Sequence, residues 1–155
     1  MLAPQKATYL YSPRVTDDRV EGLRSLLEGP SPAVLTTYRK DGSAFTTPVW
    51  FHWDDDVFQV VIAKNDVKLR HLARDPRCVL VVFEAVPPFR GIEVRGKAEL
   101  REGDVSEVRA AIANRYLGPI DGPRFSAKRA STPGALLTLP ADGARIWDLA
   151  GILPP

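Results

Sequence analysis

Two lysines flank the start of a short predicted helix and could form an anion site there. Lys64 and Lys68 lie on either side of Asp66, where an amphipathic segment begins that runs to about residue 74. The first turn of a helix has free backbone N–H groups and a partial positive charge, so a phosphate fits there. The spacing is therefore typical of a phosphate-binding helix start. The alternative is that both lysines are solvated and that Asp66 offsets their charge.

A strand interrupted by proline is the second candidate site, and it contains Thr46, Thr47, Pro48, Val49 and Trp50. Proline has no N–H to donate to a strand ladder, so it marks an edge or an opening where the neighbouring backbone can contact a ligand. Trp50 alternates with Phe45 and Phe51, which predicts that it faces away from the core and could stack on a planar ring. The alternative is an edge strand whose tryptophan packs in a subunit interface.

Four other residues carry weaker signals. Arg90 stands at the start of a later strand and could bind a phosphate or carboxylate, although an arginine there is more often a surface residue. His52 and His71 could exchange protons, but neither belongs to a recognisable catalytic motif. Cys78, the single cysteine of the chain, lies in an apolar run and is interpreted as a small core residue. One cysteine and two histidines do not supply the ligands of a structural zinc site, so no metal is expected.

The composition limits the classes of function. The 155 residues are 45% hydrophobic and 26% charged, which predicts one soluble domain. The net charge is only +2, with acids and bases interleaved, so no nucleic-acid partner is expected. No apolar run is long enough for a membrane helix and no signal peptide is recognised, so the prediction is a cytoplasmic protein. Walker, G-x-G-x-x-G, G-x-S-x-G and H-E-x-x-H motifs are missing.

The elements that would position these residues form a meander of short strands with helices at the corners. The predicted fold class is mainly β with α, a small antiparallel barrel that spans residues 1–155 as one domain after an extended arm over 1–15. Residues 119–133 are rich in Gly and Pro and predict no regular element. The last two strands are predicted to pair as a hairpin. Helices are predicted over 16–28, 66–74 and 104–117, and strands over 33–38, 43–53, 57–63, 77–85, 91–100, 135–139 and 145–149.

The order of four segments resembles a known family. They read AVLTTYRKDGSAFTTPVWFHWDDD, VKLRHLARDPRCVLVV, PFRGIEVRGKAEL and NRYLG. This succession is similar to the flavin- and deazaflavin-dependent oxidoreductases related to pyridoxamine 5′-phosphate oxidase. The similarity spans about residues 20–118. No single segment carries it, whereas the T-P-V-W-F, K-x-x-x-L-x-R-D-P-R and E-V-R-G motifs in this order do.

The resemblance implies a split β-barrel that forms a homodimer with two cofactor sites at the subunit interface. The cofactor would be the deazaflavin coenzyme F-420, which this form of the motif favours, or alternatively FMN. The strand Thr46–Trp50 would run beside the ring, and Lys68 would occupy the position of the phosphate-binding lysine. Arg90 would approach from near the interface. The segment that holds the phosphate would include Ile62, Ala63, Lys64 and Lys68.

Two departures from the family pattern qualify these expectations. Asp66 stands where several relatives have Arg, Ser or Thr, which changes the phosphate contacts. Arg145-Ile146-Trp147 lacks the histidine of an R-x-H motif, so pyridoxamine phosphate is not the expected substrate. The expected function is hydride transfer to or from a small organic substrate. The alternatives are a non-catalytic carrier of a flavin, haem or other tetrapyrrole, and a nucleic-acid-binding barrel, against which the alternating charges of residues 93–99 argue.

Overall fold

The computed structural model describes residues 17–155, with side chains from residue 22 onward. The arm predicted for residues 1–15 and the first residue of the helix predicted over 16–28 lie outside the described residues. Short strands dominate the rest. The helices are α1 (Asp17–Glu28), α2 (Val67–Arg74) and α3 (Ser106–Lys128), and the strands are β1 (Ala33–Tyr38), β2 (Ala44–Pro48), β3 (His52–Asp54), β4 (Val57–Ala63), β5 (Arg77–Phe83), β6 (Gly91–Lys97), β7 (Glu99–Gly103), β8 (Gly134–Pro140) and β9 (Arg145–Trp147).

Two antiparallel sheets contain all of these strands. One sheet has the order β2-β1-β5-β6-β9 and the other has the order β3-β4-β8-β7. Because β2 and β3 follow each other in the chain but belong to different sheets, the backbone crosses between the sheets at residues 49–51. A second crossing links β6 to β7 near Ala98. The sheets therefore enclose one core from two sides, and the predicted mainly-β antiparallel architecture with inserted helices is confirmed.

The core follows the period-two alternation of the strands. In β1 every second residue is buried, and β4 shows the same alternation with Phe58, Val60 and Ile62 inside. Phe51 and Phe58 are both fully buried and meet edge to face with ring centroids 5.4 Å apart. Helix α1 closes one side of the core with Leu23, Leu26 and Leu27. No helix among residues 17–155 is both long and apolar enough to cross a membrane.

Two long predicted strands are wrong because each divides between the sheets. The strand predicted over 43–53 ends at Pro48, which lacks the N–H for a further ladder bond, and resumes at His52 in the other sheet. The strand predicted over 91–100 ends at Lys97, and Ala98 donates its N–H to Pro76 instead. Leu100, beyond this break, is 36% exposed.

The predictions for the C-terminal part also need correction. Strands β8 and β9 do not form a hairpin, since β8 pairs with β4 and β7 whereas β9 pairs with β6. Residues 119–128 are helical, although they were predicted to lack structure. They continue α3 beyond a kink at Gly118, which has φ 82° and ψ −179°. Glycine accepts this φ at low cost, and Pro119 suits the first turn of the helical segment that follows.

Candidate functional site

A cavity of about 300 Å³ lies where the end of β2, strand β4 and helix α3 meet. It brings together residues from both candidate segments of the sequence. Aromatic, aliphatic and cationic side chains share its wall, which is the mixture expected of a small-molecule site. Its lining residues are Pro48, Val49, Trp50, Val60, Val61, Ile62, Ala63, Asp66, Lys68, Arg109, Ile112, Phe125, Arg129 and Thr132.

Trp50 forms an aromatic wall of this cavity. Its ring stacks on Tyr116 with centroids 5.0 Å apart and an interplanar angle of 6°, and Phe125 packs against it at 5.8 Å. Tyr116 comes from the first part of α3 and Phe125 from the part beyond the Gly118 kink. The Tyr116 hydroxyl donates to the Ser31 carbonyl at 3.0 Å, so the stack is anchored to the protein. Trp50 remains 40% exposed, and its ring is available for further stacking.

The start of α2 forms a polar corner of the cavity. Asp66 is the N-cap, and its Oδ1 accepts from the Lys68 backbone N–H at 2.8 Å. The other oxygen, Oδ2, accepts from Lys68 Nζ at 2.9 Å. Burial raises the pKa of Asp66, but the side-chain and backbone hydrogen bonds from Lys68 outweigh it and hold the pKa below the ordinary value of 3.8. The charge of Lys68 is thus largely neutralised by its own helix cap.

Arg109 forms a buried cationic part of the wall. Its side chain is on the core-facing side of α3 and is 8% exposed. Nη1 donates to the Arg129 carbonyl at 2.7 Å, and Nη2 donates to the Thr132 carbonyl at 2.8 Å. These bonds hold the chain that follows α3 against the cavity. Arg129 itself lies over the Phe125 ring, with its guanidinium carbon 4.8 Å from the ring centroid.

Six of the ten predicted site residues line this cavity: Pro48, Val49, Trp50, Ile62, Ala63 and Lys68. Lys64 instead borders a smaller hollow of about 190 Å³ beside Glu102 and Gly134. The Thr46 hydroxyl lies 2.7 Å from that of Thr36 on the neighbouring strand. The Thr47 hydroxyl is buried and has no hydrogen-bond partner within the described residues.

Arg90 lies away from this lining and has protein partners. Its Nε and Nη2 donate to the two carboxylate oxygens of Glu84, each at 2.9 Å, and Nη1 donates to the Gly22 carbonyl of α1. The side-chain hydrogen bond to Arg90 lowers the pKa of Glu84, and the same bond raises the pKa of Arg90. Within one chain, Arg90 therefore fastens α1 to the start of β6, whereas the sequence predicted a contact with the ligand.

The histidines and the cysteine are not among the residues that line the cavity. His71 is buried, with Nδ1 2.9 Å from the Thr37 hydroxyl and its ring edge against Phe45. Burial raises the pKa of the Cys78 thiol to about 11, which suits the core position predicted for it. Among the described residues, no group of three or more His, Cys, Asp or Glu side chains could hold a metal ion.

Besides Val60 and Val61 of β4, sequence reasoning missed five lining residues, and all five come from α3 or the chain just after it. Arg109 carried a usable signal, since it is four residues after Val105 and three before Ile112 and therefore lies on the apolar stripe of its helix. A charged residue on a core-facing stripe marks a site or an internal ion pair. The residues beyond the kink gave no comparable pattern. These five residues are Arg109, Ile112, Phe125, Arg129 and Thr132.

The two sheets and the inserted helices define a split β-barrel with a cavity at the junction of the sheets and α3. The family model described as pyridoxamine 5′-phosphate oxidase matches residues 20–148. The chain belongs to this family, which confirms the resemblance found in the sequence. A comparison with curated proteins found no significant match.

Solved structures with the same fold differ in what they are described as doing. A conserved hypothetical protein from Mycobacterium tuberculosis is 21% identical with a TM-score of 0.74, over 87% of this chain and 88% of that one. An F420 reductase is 27% identical with a TM-score of 0.63, over 79% and 94%. HutZ, a haem storage protein from Vibrio cholerae, is 16% identical with a TM-score of 0.63, over 81% and 92%. The fold is therefore shared by proteins of different described functions.

Proposed function

We propose that the cavity binds a flavin-type cofactor, coenzyme F-420 in preference to FMN, and that the protein is an oxidoreductase. The observation that carries the proposal is the combination of an aromatic wall and cationic side chains in one cavity. Trp50 and Tyr116 form the wall, and Lys68, Arg109 and Arg129 are the cations. A planar ring that carries a phosphate requires both features. Membership of the family and the similarity to an F420 reductase support the choice of cofactor.

The residues present fit such a group in shape and in charge. The volume of about 300 Å³ is at the lower end of the range for small-molecule sites, and the mouth is open to solvent beside Trp50. The chain crosses from one sheet to the other at residues 49–51, so Trp50 lies outside both strand ladders, beside the mouth of the cavity. Three cationic side chains and a single carboxylate favour an anionic ligand.

A bound flavin or deazaflavin would supply hydride transfer, and the protein would supply binding and orientation. Trp50 would position the ring by stacking, and the cations would hold its phosphate. Among the lining residues the only carboxylate is Asp66, which is committed to Lys68. Because no free acid–base side chain lines the cavity within the described residues, we assign no proton-transfer residue.

We further propose that two copies of the chain associate beside this site. Large apolar side chains are exposed around the kink of α3, with Leu117 at 37% and Ile120 at 68%. They adjoin Tyr116, which stacks on Trp50, so a partner covering them would also shield the ring site. Burial of exposed apolar surface of this kind stabilises an interface. The oligomeric state in solution tests this part of the proposal independently of ligand binding.

Haem or another tetrapyrrole is the alternative ligand. HutZ, described as a haem storage protein, shares the fold, but at 16% identity the similarity extends to the fold alone. Iron in a haem is commonly held by an axial histidine. His71 is buried against Thr37, and neither histidine lines the cavity. The side chains of the cavity therefore support a flavin-type ring better than a haem.

Parallel titration of the purified protein with coenzyme F-420, FMN and haemin tests the proposal. We expect saturable binding of the deazaflavin, with weaker binding of FMN, read by ligand fluorescence and by quenching of tryptophan. A Trp50→Ala variant should lose most of the affinity, whereas Trp147→Phe, which lies outside the cavity, should retain it. Binding of haemin alone would overturn the proposal. Binding of F-420 without any reduction or oxidation of it would remove the oxidoreductase part.

A further inference from the structure

The charges around the cavity are unbalanced within the described residues. Of the four charged side chains in the lining, Lys68 and Asp66 neutralise each other at 2.9 Å. Within the part of the chain that the structure describes, no carboxylate lies within ion-pair distance of Arg109 or Arg129. A buried cation is costly unless an anion or a full set of hydrogen bonds compensates it. The two arginines therefore leave a net positive charge at one side of the cavity.

Arg109 retains donors that the protein does not use. A guanidinium has five N–H donors in a planar fork. Two of them go to the carbonyls of Arg129 and Thr132, and the described residues provide no side-chain partner for the other three. Because Arg109 lines the cavity, these donors are at hand for a ligand there.

Two half-buried arginines of this chain, Arg90 and Arg115, are compensated more completely. Arg90 has both oxygens of Glu84. Arg115 donates from three nitrogens to three carbonyls, those of Gly29, Phe51 and Leu26, and its guanidinium lies 3.9 Å from the centroid of the Phe51 ring. These contacts are enough to explain why Arg115 is there, without a ligand. Arg109, in contrast, donates to only two carbonyls and lines a cavity that a ligand can enter.

We propose that Arg109 and Arg129 hold the phosphate of the cavity's ligand. This inference rests on the proposed function and assigns its anion site to α3. A planar guanidinium binds two phosphate oxygens at once, which an ammonium cannot do. Arg109 provides the buried part of this site, and the exposed Arg129, whose carbonyl accepts a hydrogen bond from Arg109, provides the outer part. Lys68 contributes less to phosphate binding, because Asp66, the N-cap of the same helix, already neutralises its charge.

Arg129→Ala is the main test variant. Arg129 is exposed at the end of α3, and its guanidinium contacts the Phe125 ring without an ion pair, so truncation should leave the fold intact. Arg109→Lys keeps the buried charge but removes the planar fork. Arg124→Ala is the matched control, because Arg124 lies on the same helical segment, is 74% exposed and does not line the cavity.

The measurement compares FMN with riboflavin, which has the same ring without the phosphate, at constant ionic strength. For the deazaflavin, the comparison uses coenzyme F-420 and its chromophore without the phosphate-bearing tail. The wild type should prefer the phosphorylated ligand, and Arg129→Ala and Arg109→Lys should each reduce this preference by about tenfold. Affinity for the phosphate-free ring should stay unchanged, as should both affinities in Arg124→Ala. Unchanged preference in both test variants would overturn the inference while leaving the proposed function intact.

Titration with inorganic phosphate separates the two proposals when no ring compound binds. The readout is tryptophan fluorescence, since Trp50 lines the same cavity. Saturable phosphate binding that weakens in Arg129→Ala, but not in Arg124→Ala, would support the anion site and reject the flavin ring. Absence of saturable phosphate binding in the wild type, together with no ring binding, would reject both.

Discussion

Replacement of Asp66 by asparagine separates the two roles of this side chain, the cap of α2 and the ion pair with Lys68. Asparagine caps a helix about as well as aspartate, so the bond to the Lys68 N–H should remain. The ion pair to Lys68 Nζ is lost. The pair joins side chains that are 12% and 28% exposed, and we expect its loss to lower the free energy of unfolding by about 1 kcal/mol.

The same substitution should improve binding of a phosphorylated ligand. Lys68 regains its full charge, and two unit charges about 5 Å apart attract by roughly 3 kcal/mol at an effective dielectric constant near 20. Salt and solvent at the open mouth reduce this gain to about 1 kcal/mol, or about fivefold in affinity. The gain should shrink as salt is added, because screening weakens it. Asp66→Ala should show the same gain in binding and a further loss of stability of about 0.5–2 kcal/mol from the missing cap.

Urea unfolding followed by tryptophan fluorescence gives the stabilities, and titration at low and high salt gives the affinities. The m-value, the dependence of the unfolding free energy on urea concentration, should be equal in all variants, since the surface exposed on unfolding is the same. Weaker or unchanged phosphate binding in Asp66→Asn would refute the reasoning that the cap neutralises Lys68. In the wild type, the pKa of Asp66 lies below 3.8. Its contribution to the free energy of unfolding is therefore complete above pH 3.8 and is lost as the pH falls through the lowered pKa.

Three further predictions concern stability and ring binding. Gly91→Ala should cost about 1–3 kcal/mol, because a Cβ there would overlap the Trp147 ring, while Gly151→Ala, with open space around it, should be nearly neutral in urea unfolding. Trp50→Phe should weaken ring binding less than Trp50→Ala, for which the loss of stacking costs about 0.5–1.5 kcal/mol, and equal effects in the titration would contradict a stacking role. Burial lowers the pKa of His71 below 6.5, so stability should be full above pH 6.5 and should decrease as pH falls through the lowered pKa. In the His71→Phe variant, the urea midpoint should no longer show this decrease with pH.

The sequence predicted the elements that depend on local rules. Period-two burial in β1 and β4 follows from residues close in the chain and is present, and α2 begins where the predicted amphipathic segment begins. The predicted strands over 43–53 and 91–100 were too long, because alternation does not tell which sheet a residue joins. At Pro48 the missing N–H indicates from sequence that the strand ends. No such signal marks the end of the other strand near Ala98, since the hydrogen bond from Ala98 to Pro76 is a tertiary contact.

The candidate site was predictable on the strand side and not on the helix side. Pro48, Trp50 and Lys68 belong to contiguous segments whose residue types already indicate a ligand, and they meet in the cavity. Phe125 and Arg129 enter it only because the chain turns back at Gly118 and continues as a helix. A glycine and a proline in succession indicate a break but not the direction taken afterwards. The role of Arg109 depends on the same turn.

The wall of the cavity has two parts, one formed by the strands of the sheets and the other by the segment that follows the kink at Gly118. Strands β2 and β4 belong to the sheets and to the core, so their residues can change little. The segment after Gly118 adds Phe125, Arg129 and Thr132 to the wall, and it starts and ends outside the sheets. A segment connected in this way can be replaced as a unit from a relative, with β8 resuming at Gly134. Grafting residues 119–133 from a relative onto the unaltered strands would therefore test whether this segment determines which ligand the cavity binds.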